Sequence, residues 1–172
     1  YIIFRGFDES YVGACNAGVK LIAKNAVSTS LNFDTENPPV PAEGDLWHWD
    51  ATSRTLTLKD GFYHVSEVDE GANITLPTGS TVVIEGKATL YGFGDYQNGI
   101  TCKGTLTIKG SGADKSVLNI YASEEGVYTD GTLTVENIAA NVEAGSDGFI
   151  SHGETVIRNA KLDFVTDDEG LD

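Results

Sequence analysis

Positive charge is scarce in this sequence. It holds 11 Lys and Arg against 26 Asp and Glu, a net charge of −15 with an isoelectric point near 4.3. Such a surface repels nucleic acid and anionic lipid at long range, so neither is expected as a partner. Cysteine is nearly missing, and Cys15 and Cys102 alone make no disulfide framework. No stretch of ~18 apolar residues occurs, so no membrane-spanning helix is expected. Methionine is absent and there are four prolines. Three of these fall in Glu36-Asn-Pro-Pro-Val-Pro41, an extended connector that cannot be helical. No catalytic motif is present. The length of 172 residues allows one domain with a real core. The chain opens at Tyr1 rather than Met, as a mature or trimmed protein would. Its acidity suits a secreted or cell-surface location.

Glycine is abundant, and its spacing carries the architecture. Residues 98–110, 125–137 and 147–159 repeat one another, and a fourth copy opens at Glu169. The opening glycines are Gly99, Gly126, Gly148 and Gly170, at steps of 27, 22 and 22 residues. A period of about 20–50 residues marks a solenoid, in which each copy stacks on the last. Thr105-Leu-Thr-Ile108 and Thr132-Leu-Thr-Val135 alternate polar and apolar residues, the signature of a strand with one buried face. Fainter copies lie in residues 54–61 and 80–86. Aligned on the turn after this strand, the copies predict one inward column of Leu56, Val82, Leu106, Leu133 and Thr155. A second would hold Leu58, Ile84, Ile108, Val135 and Ile157. The turn itself reads Asp60-Gly61, Gly86, Gly110, Asn137 and Asn159, residues that tolerate a left-handed backbone.

Two further short strands per copy complete the pattern of an all-β, right-handed single-stranded parallel β-helix of about five coils over residues 44–172. An antiparallel sandwich is the competing architecture, and a leucine-rich repeat fits less well because its consensus and its helices are missing. Residues 1–43 do not match the repeat and are expected to form a distinct N-terminal cap and connector. A short helix over 15–26 is one form for that cap, and an irregular strand-rich end is the other. Trp47 and Trp49 share one face of a strand, which suits plugging the end of a core or stacking on a sugar. Cys102 shares a column with Thr129 and Ser151, so a small buried thiol is expected. A bridge to Cys15 is the alternative. The last repeat stops midway, so the natural chain is expected to continue.

The phrases Trp49-Asp-Ala-Thr-Ser-Arg-Thr-Leu-Thr-Leu-Lys-Asp-Gly61, Ile74-Thr-Leu-Pro-Thr-Gly-Ser-Thr-Val-Val-Ile-Glu-Gly86 and Gly99-Ile-Thr-Cys-Lys-Gly-Thr-Leu-Thr-Ile-Lys-Gly110 resemble secreted surface repeat proteins of Firmicutes. Those proteins carry pectin-lyase-like, β-helical repeats described as carbohydrate-binding or adhesion-like. The resemblance spans residues 45–172 and implies a non-catalytic extracellular or cell-surface module, with a polysaccharide or cell-surface glycan as partner. It implies further repeats or domains in a longer chain, and it brings no catalytic residues with it.

Three groups could carry chemistry. Tyr91, Phe93, Asp95 and Tyr96 form the aromatic cluster that the repeat does not dictate, and ring faces with a polar handle suit sugars. Glu125, Asp147 and Glu169 share a column with Asn98, and stacked carboxylates repel unless solvated, protonated or bridged by a cation. Calcium takes such oxygen ligands, with Asp167 and Asp168 nearby, while a solvated acidic edge is the simpler reading. Lys103, Asp130 and His152 form a neighbouring charged column. A polysaccharide hydrolase or lyase is the alternative function. The absence of any Lys or Arg from Ser116 to Ile157 weighs against gripping a polyuronate.

Overall fold

The computed structural model describes residues 26–27, 29–42, 45–65, 71–92, 96–112 and 115–172. The expected helix over 15–26 and Cys15 therefore lie outside the described residues, apart from Ala26. Three strands precede the regular coils: β1 (Ala26–Val27), β2 (Leu31–Asn32) and β3 (Trp47–Asp50). Coil one is β4 (Thr55–Leu58), β5 (Gly61–Val65) and β6 (Gly71–Leu76). Coil two is β7 (Ser80–Ile84), β8 (Lys87–Gly92) and β9 (Gln97–Cys102). Coil three is β10 (Leu106–Gly110), β11 (Val117–Ala122) and β12 (Val127–Thr129). Coil four is β13 (Leu133–Glu136), β14 (Ala139–Ala144) and β15 (Phe149–Ser151). A fifth coil begins with β16 (Thr155–Arg158) and β17 (Lys161–Thr166), and Leu171 bridges back to Phe149.

Like strands stack into three sheets, in the orders β3-β4-β7-β10-β13-β16, β1-β5-β8-β11-β14-β17 and β2-β6-β9-β12-β15. Among the described residues every pairing is parallel except β3 on β4. The chain is an all-β solenoid of four complete turns, and no helix occurs among the described residues. The alternation read from the sequence explains the core. Leu106 pairs with Leu133 and Ile108 with Val135, and all four are fully buried. Burying one such aliphatic side chain stabilises by about 1.5–3 kcal/mol, and every coil repeats the gain from each of its three sheets.

One register differs from expectation. Leu56 lies on Val82 as predicted, but Val82 meets Ile108, and Leu106 lies over Ser80. The true columns are Leu56, Val82, Ile108, Val135, Ile157 and Ser80, Leu106, Leu133, Thr155. Leu58 and Ile84 run on into Gly110. The cause is that Gly86 and Gly110 have different jobs. Gly86 turns a tight corner with φ +80. Gly110 has no left-handed φ; it ends β10, where any Cβ would run into the Asn137 carbonyl. The next strand does not begin until Val117. Asn137 and Asn159, which the sequence had singled out, do turn with a left-handed backbone, at φ 56 and 46.

The opening glycines of the repeat are explained by close approach instead. The Gly126 amide donates to the Asp147 carbonyl, and the Gly99 amide to Glu125. A Cβ on Gly126 would sit 2.5 Å from the Gly148 carbonyl oxygen and would also strike Val142. A side chain there would push two coils apart. Beside this column lie Leu76, Cys102, Thr129 and Ser151. Cys102 is a free, fully buried thiol that donates to the Pro77 carbonyl at 3.4 Å, and burial raises its pKa. The Ser151 hydroxyl likewise donates to Gly131 at 2.8 Å, so the polar members of a buried column are satisfied by backbone one coil back.

Candidate functional site

The aromatic candidates divide. Tyr91 stands on the outward face of β8, in register with Tyr121 on β11, with ring centroids 5.6 Å apart and planes at 46°. Tyr96 sits in the turn before β9 with φ 58 and is 65% exposed. Phe93 and Asp95 lie outside the described residues. Beside the two tyrosines runs a column of Phe62, Thr89, Asn119, Asn141 and Asp163. Parallel strands about 4.8 Å apart place equivalent amides in hydrogen-bond reach. Accordingly the Asn141 Nδ2 donates to Asn119 at 2.8 Å, and the Asn119 Nδ2 to Thr89 at 3.1 Å. Thr89 and Asn119 are nearly covered, while Asn141 and Glu143 are exposed. Tyr121 was missed in the sequence. Its signal was the shared phrasing of Ala88-Thr-Leu-Tyr91 and Leu118-Asn-Ile-Tyr121.

The acidic column is real as a register: Glu125, Asp147 and Glu169 each precede a glycine of the stacked series. Its members differ in role. Asp147 is buried, accepting the Glu169 amide at 3.0 Å and the Ser146 hydroxyl at 3.1 Å. Asn98 accepts the Glu125 amide in the same way at 3.1 Å. These two side chains thus fasten coil two to coil three and coil four to the fifth. Carboxylate oxygens of Asp147, Asp168 and Glu169 lie within 4.8 Å of one another, and Glu125 is not in that group. Burial first, then the charge of Glu124, pushes the Glu125 carboxyl above its ordinary pKa. Glu169 is raised too, first by its hydrogen bond with Asp168 and then by that neighbour's charge. Asp147, Asp168 and Glu169 are the side chains that could hold a calcium ion, with Glu125 one coil away.

The charged column also resolves into pairs. Lys103 reaches Asp34 at 2.9 Å, which ties residues 33–36 to coil two. His152 lies 3.7 Å from Asp130, which accepts the Tyr128 hydroxyl at 3.1 Å. The His152 ring meets Tyr128 edge-on at 5.3 Å, so its surroundings are a small surface cluster.

A third site lies at the N-terminal rim. Because β3 runs antiparallel to β4, Trp47 pairs with Leu58 and Trp49 with Leu56. Trp47 is 6% exposed and closes the core, while Trp49 is half-buried. Phe33 packs between them, stacked on Trp49 at 4.6 Å and edge-on to Trp47 at 5.5 Å. Next to this stack an open cleft of about 530 Å³ is lined by Phe33, Asp34, Glu36, Trp49, Arg54 and Pro77, among others. Arg54 adopts φ 50 and donates to the Thr78 carbonyl at 2.7 Å. Asp50 shapes the turn that carries it, accepting the Thr52 amide at 2.9 Å and the Ser53 hydroxyl at 2.8 Å. Those hydrogen bonds, the Ser53 hydroxyl foremost, lower the Asp50 pKa.

Stacked parallel coils with aromatic and amide columns on their outer faces define a repeat-built β-solenoid. Over residues 50–171, which take in all four complete coils, the sequence matches the family described as carbohydrate-binding domain-containing protein. The chain belongs to that family, and the membership supports a carbohydrate-binding role. No curated protein and no solved structure matches the chain.

Proposed function

We propose that this chain is a non-catalytic carbohydrate-binding module of a secreted or cell-surface protein, serving attachment to polysaccharide or to a cell-surface glycan. The observation that carries the reading is the family match across the whole coiled region. The outward Tyr91 and Tyr121 pair supports it, and Tyr96 is a further exposed ring in coil two. Sugar rings present C–H faces that pack on such rings, and neighbouring amides serve their hydroxyls. Phe93 and Asp95 belong to the same candidate surface by sequence. Calcium is proposed as an accessory at Asp147, Asp168 and Glu169, with Glu125 adjoining. The pectin-lyase-like, Firmicutes-type resemblance points the same way, toward an acidic adhesion repeat within a longer chain.

A glycan array probed with the intact chain, in calcium and in EDTA, tests this. Binding to a defined set of glycans is expected. An array blank in both buffers would sink the carbohydrate reading. Release of new reducing ends or unsaturated products from a bound polysaccharide would replace the non-catalytic part with a hydrolase or lyase.

A further inference from the structure

We propose that the rim cleft beside Trp49 is a glycan site, separate from the tyrosine face, and that it takes a short stretch of a neutral glycan. The inference rests on the carbohydrate-binding reading and adds a place and a ligand class to it. The cleft, at about 530 Å³, lies within the range of small-ligand sites, on the order of 300–1,000 Å³. That space suits one or two sugar rings rather than an extended chain.

Three features select the ligand. First, the cleft has an aromatic wall already immobilised. Trp49 is stacked on Phe33 and pinned by the β3–β4 pairing, so little side-chain freedom is left to lose when a sugar packs against it. Second, acceptors and a donor face the same space. Asp34 and Glu36 offer carboxylate oxygens, and Arg54 offers a planar fork of N–H groups. A sugar diol donates to the former and accepts from the latter, which neither an apolar molecule nor a simple anion can do. Third, the local charge balances. Lys103 neutralises Asp34 at 2.9 Å, and the rest of the lining carries one acid, Glu36, and one base, Arg54. The cleft therefore has no surplus positive charge for a uronate, and the −15 of the whole chain repels one.

Tryptophan provides the readout. The chain has two, and Trp47 is closed off in the core. A Trp47→Phe chain leaves Trp49 as the sole indole reporter. It is titrated with cellohexaose, xylohexaose, mannohexaose and chitohexaose as neutral probes and hexagalacturonate as the anionic one. At least one neutral probe is expected to shift Trp49 emission and shield it from acrylamide. Glu36→Gln, on an exposed side chain, should weaken that binding by about three- to tenfold, the loss of one charge-assisted hydrogen bond. Glu154→Gln, an exposed carboxylate on the far coil, should leave it unchanged. Array binding with a silent Trp49 would overturn the cleft and leave the carbohydrate reading standing. A blank array removes both. Preference for hexagalacturonate would overturn the neutral class.

Discussion

The N-terminal rim and the last coil, residues 155–172, are built differently. At the N-terminal rim one of the three sheets ends in an antiparallel strand, and Trp47 and Phe33 cover the last aliphatic layer. At the other end β16 and β17 have parallel partners on one side only. Leu162 and Phe164 there are half-buried, where Leu90, Ile120 and Leu118 in the middle coils are fully buried. Val165 and Leu171 are 70% and 43% exposed. The difference shows how such a fold stabilises itself. Each coil is completed by the next, so a residue's contribution depends on having a neighbour on both sides.

The largest expected contrast lies between the two aromatic positions. Trp47→Ala should cost about 3–5 kcal/mol, because it opens a void under the cap. Phe164→Ala, whose ring meets Phe149 edge-on at 5.1 Å but stays half-exposed, should cost about 1–2 kcal/mol. Urea unfolding followed by far-ultraviolet circular dichroism measures both. Equal losses would mean that the ends do not differ in the way described.

A finer contrast uses the glycine column. Gly126→Ala forces a methyl to within 2.5 Å of the Gly148 carbonyl and should destabilise by about 1–3 kcal/mol. Gly170→Ala places its methyl 3.1 Å from the Phe164 ring, and all three of its nearest atoms belong to that flexible side chain. Its effect should stay below about 0.5 kcal/mol. Thermal melts of the two variants side by side decide this, and a Gly170→Ala chain as unstable as Gly126→Ala would contradict it.

The smallest effects concern pH, and they should differ in sign between the rim and coil three. At the rim, Asp50 has a lowered pKa, so its contribution is present above the unfolded value of about 3.9 and is lost as pH falls through the folded one. Asp50→Asn should lower the melting temperature at pH 7, with the gap closing in acid. In coil three, Glu125 has a raised pKa, so its favourable share is complete below about 4.3 and is lost as pH rises through the folded value. Glu125→Gln should therefore raise the melting temperature at pH 7 and match the parent below about pH 4. Melting curves from pH 3 to 8 that move both variants the same way would refute the assignment.

Much of this fold was legible because the strand period is short and local. Thr105-Leu-Thr-Ile108 shows which face is buried without reference to anything else, and Gly99, Gly126, Gly148 and Gly170 count the coils. The register from β7 to β10 was not legible. A two-residue slide keeps every apolar side chain on the inner face, so the alternation reads the same in either register. The spacing between strands decided it: Gly86 turns directly into β8, while β11 starts only at Val117, seven residues after Gly110.

The candidate sites follow the same division. That Glu125, Asp147 and Glu169 would line up was readable from the repeat. That Asp168 joins Asp147 and Glu169 while Glu125 stays out depends on how the chain bends after β17. The Trp49 cleft could not be seen at all, because residues 33–38 have no repeat partner, and only folding brings them against β3 and the Arg54 turn. Sequence alone therefore determined the solenoid, its buried faces and its family, because those depend on contacts between equivalent positions of neighbouring copies. Only the tertiary structure decided the register of coil three, the meeting of the acids and the rim cleft. Each of these depends on loops that do not repeat, and their paths are set by packing rather than by pattern.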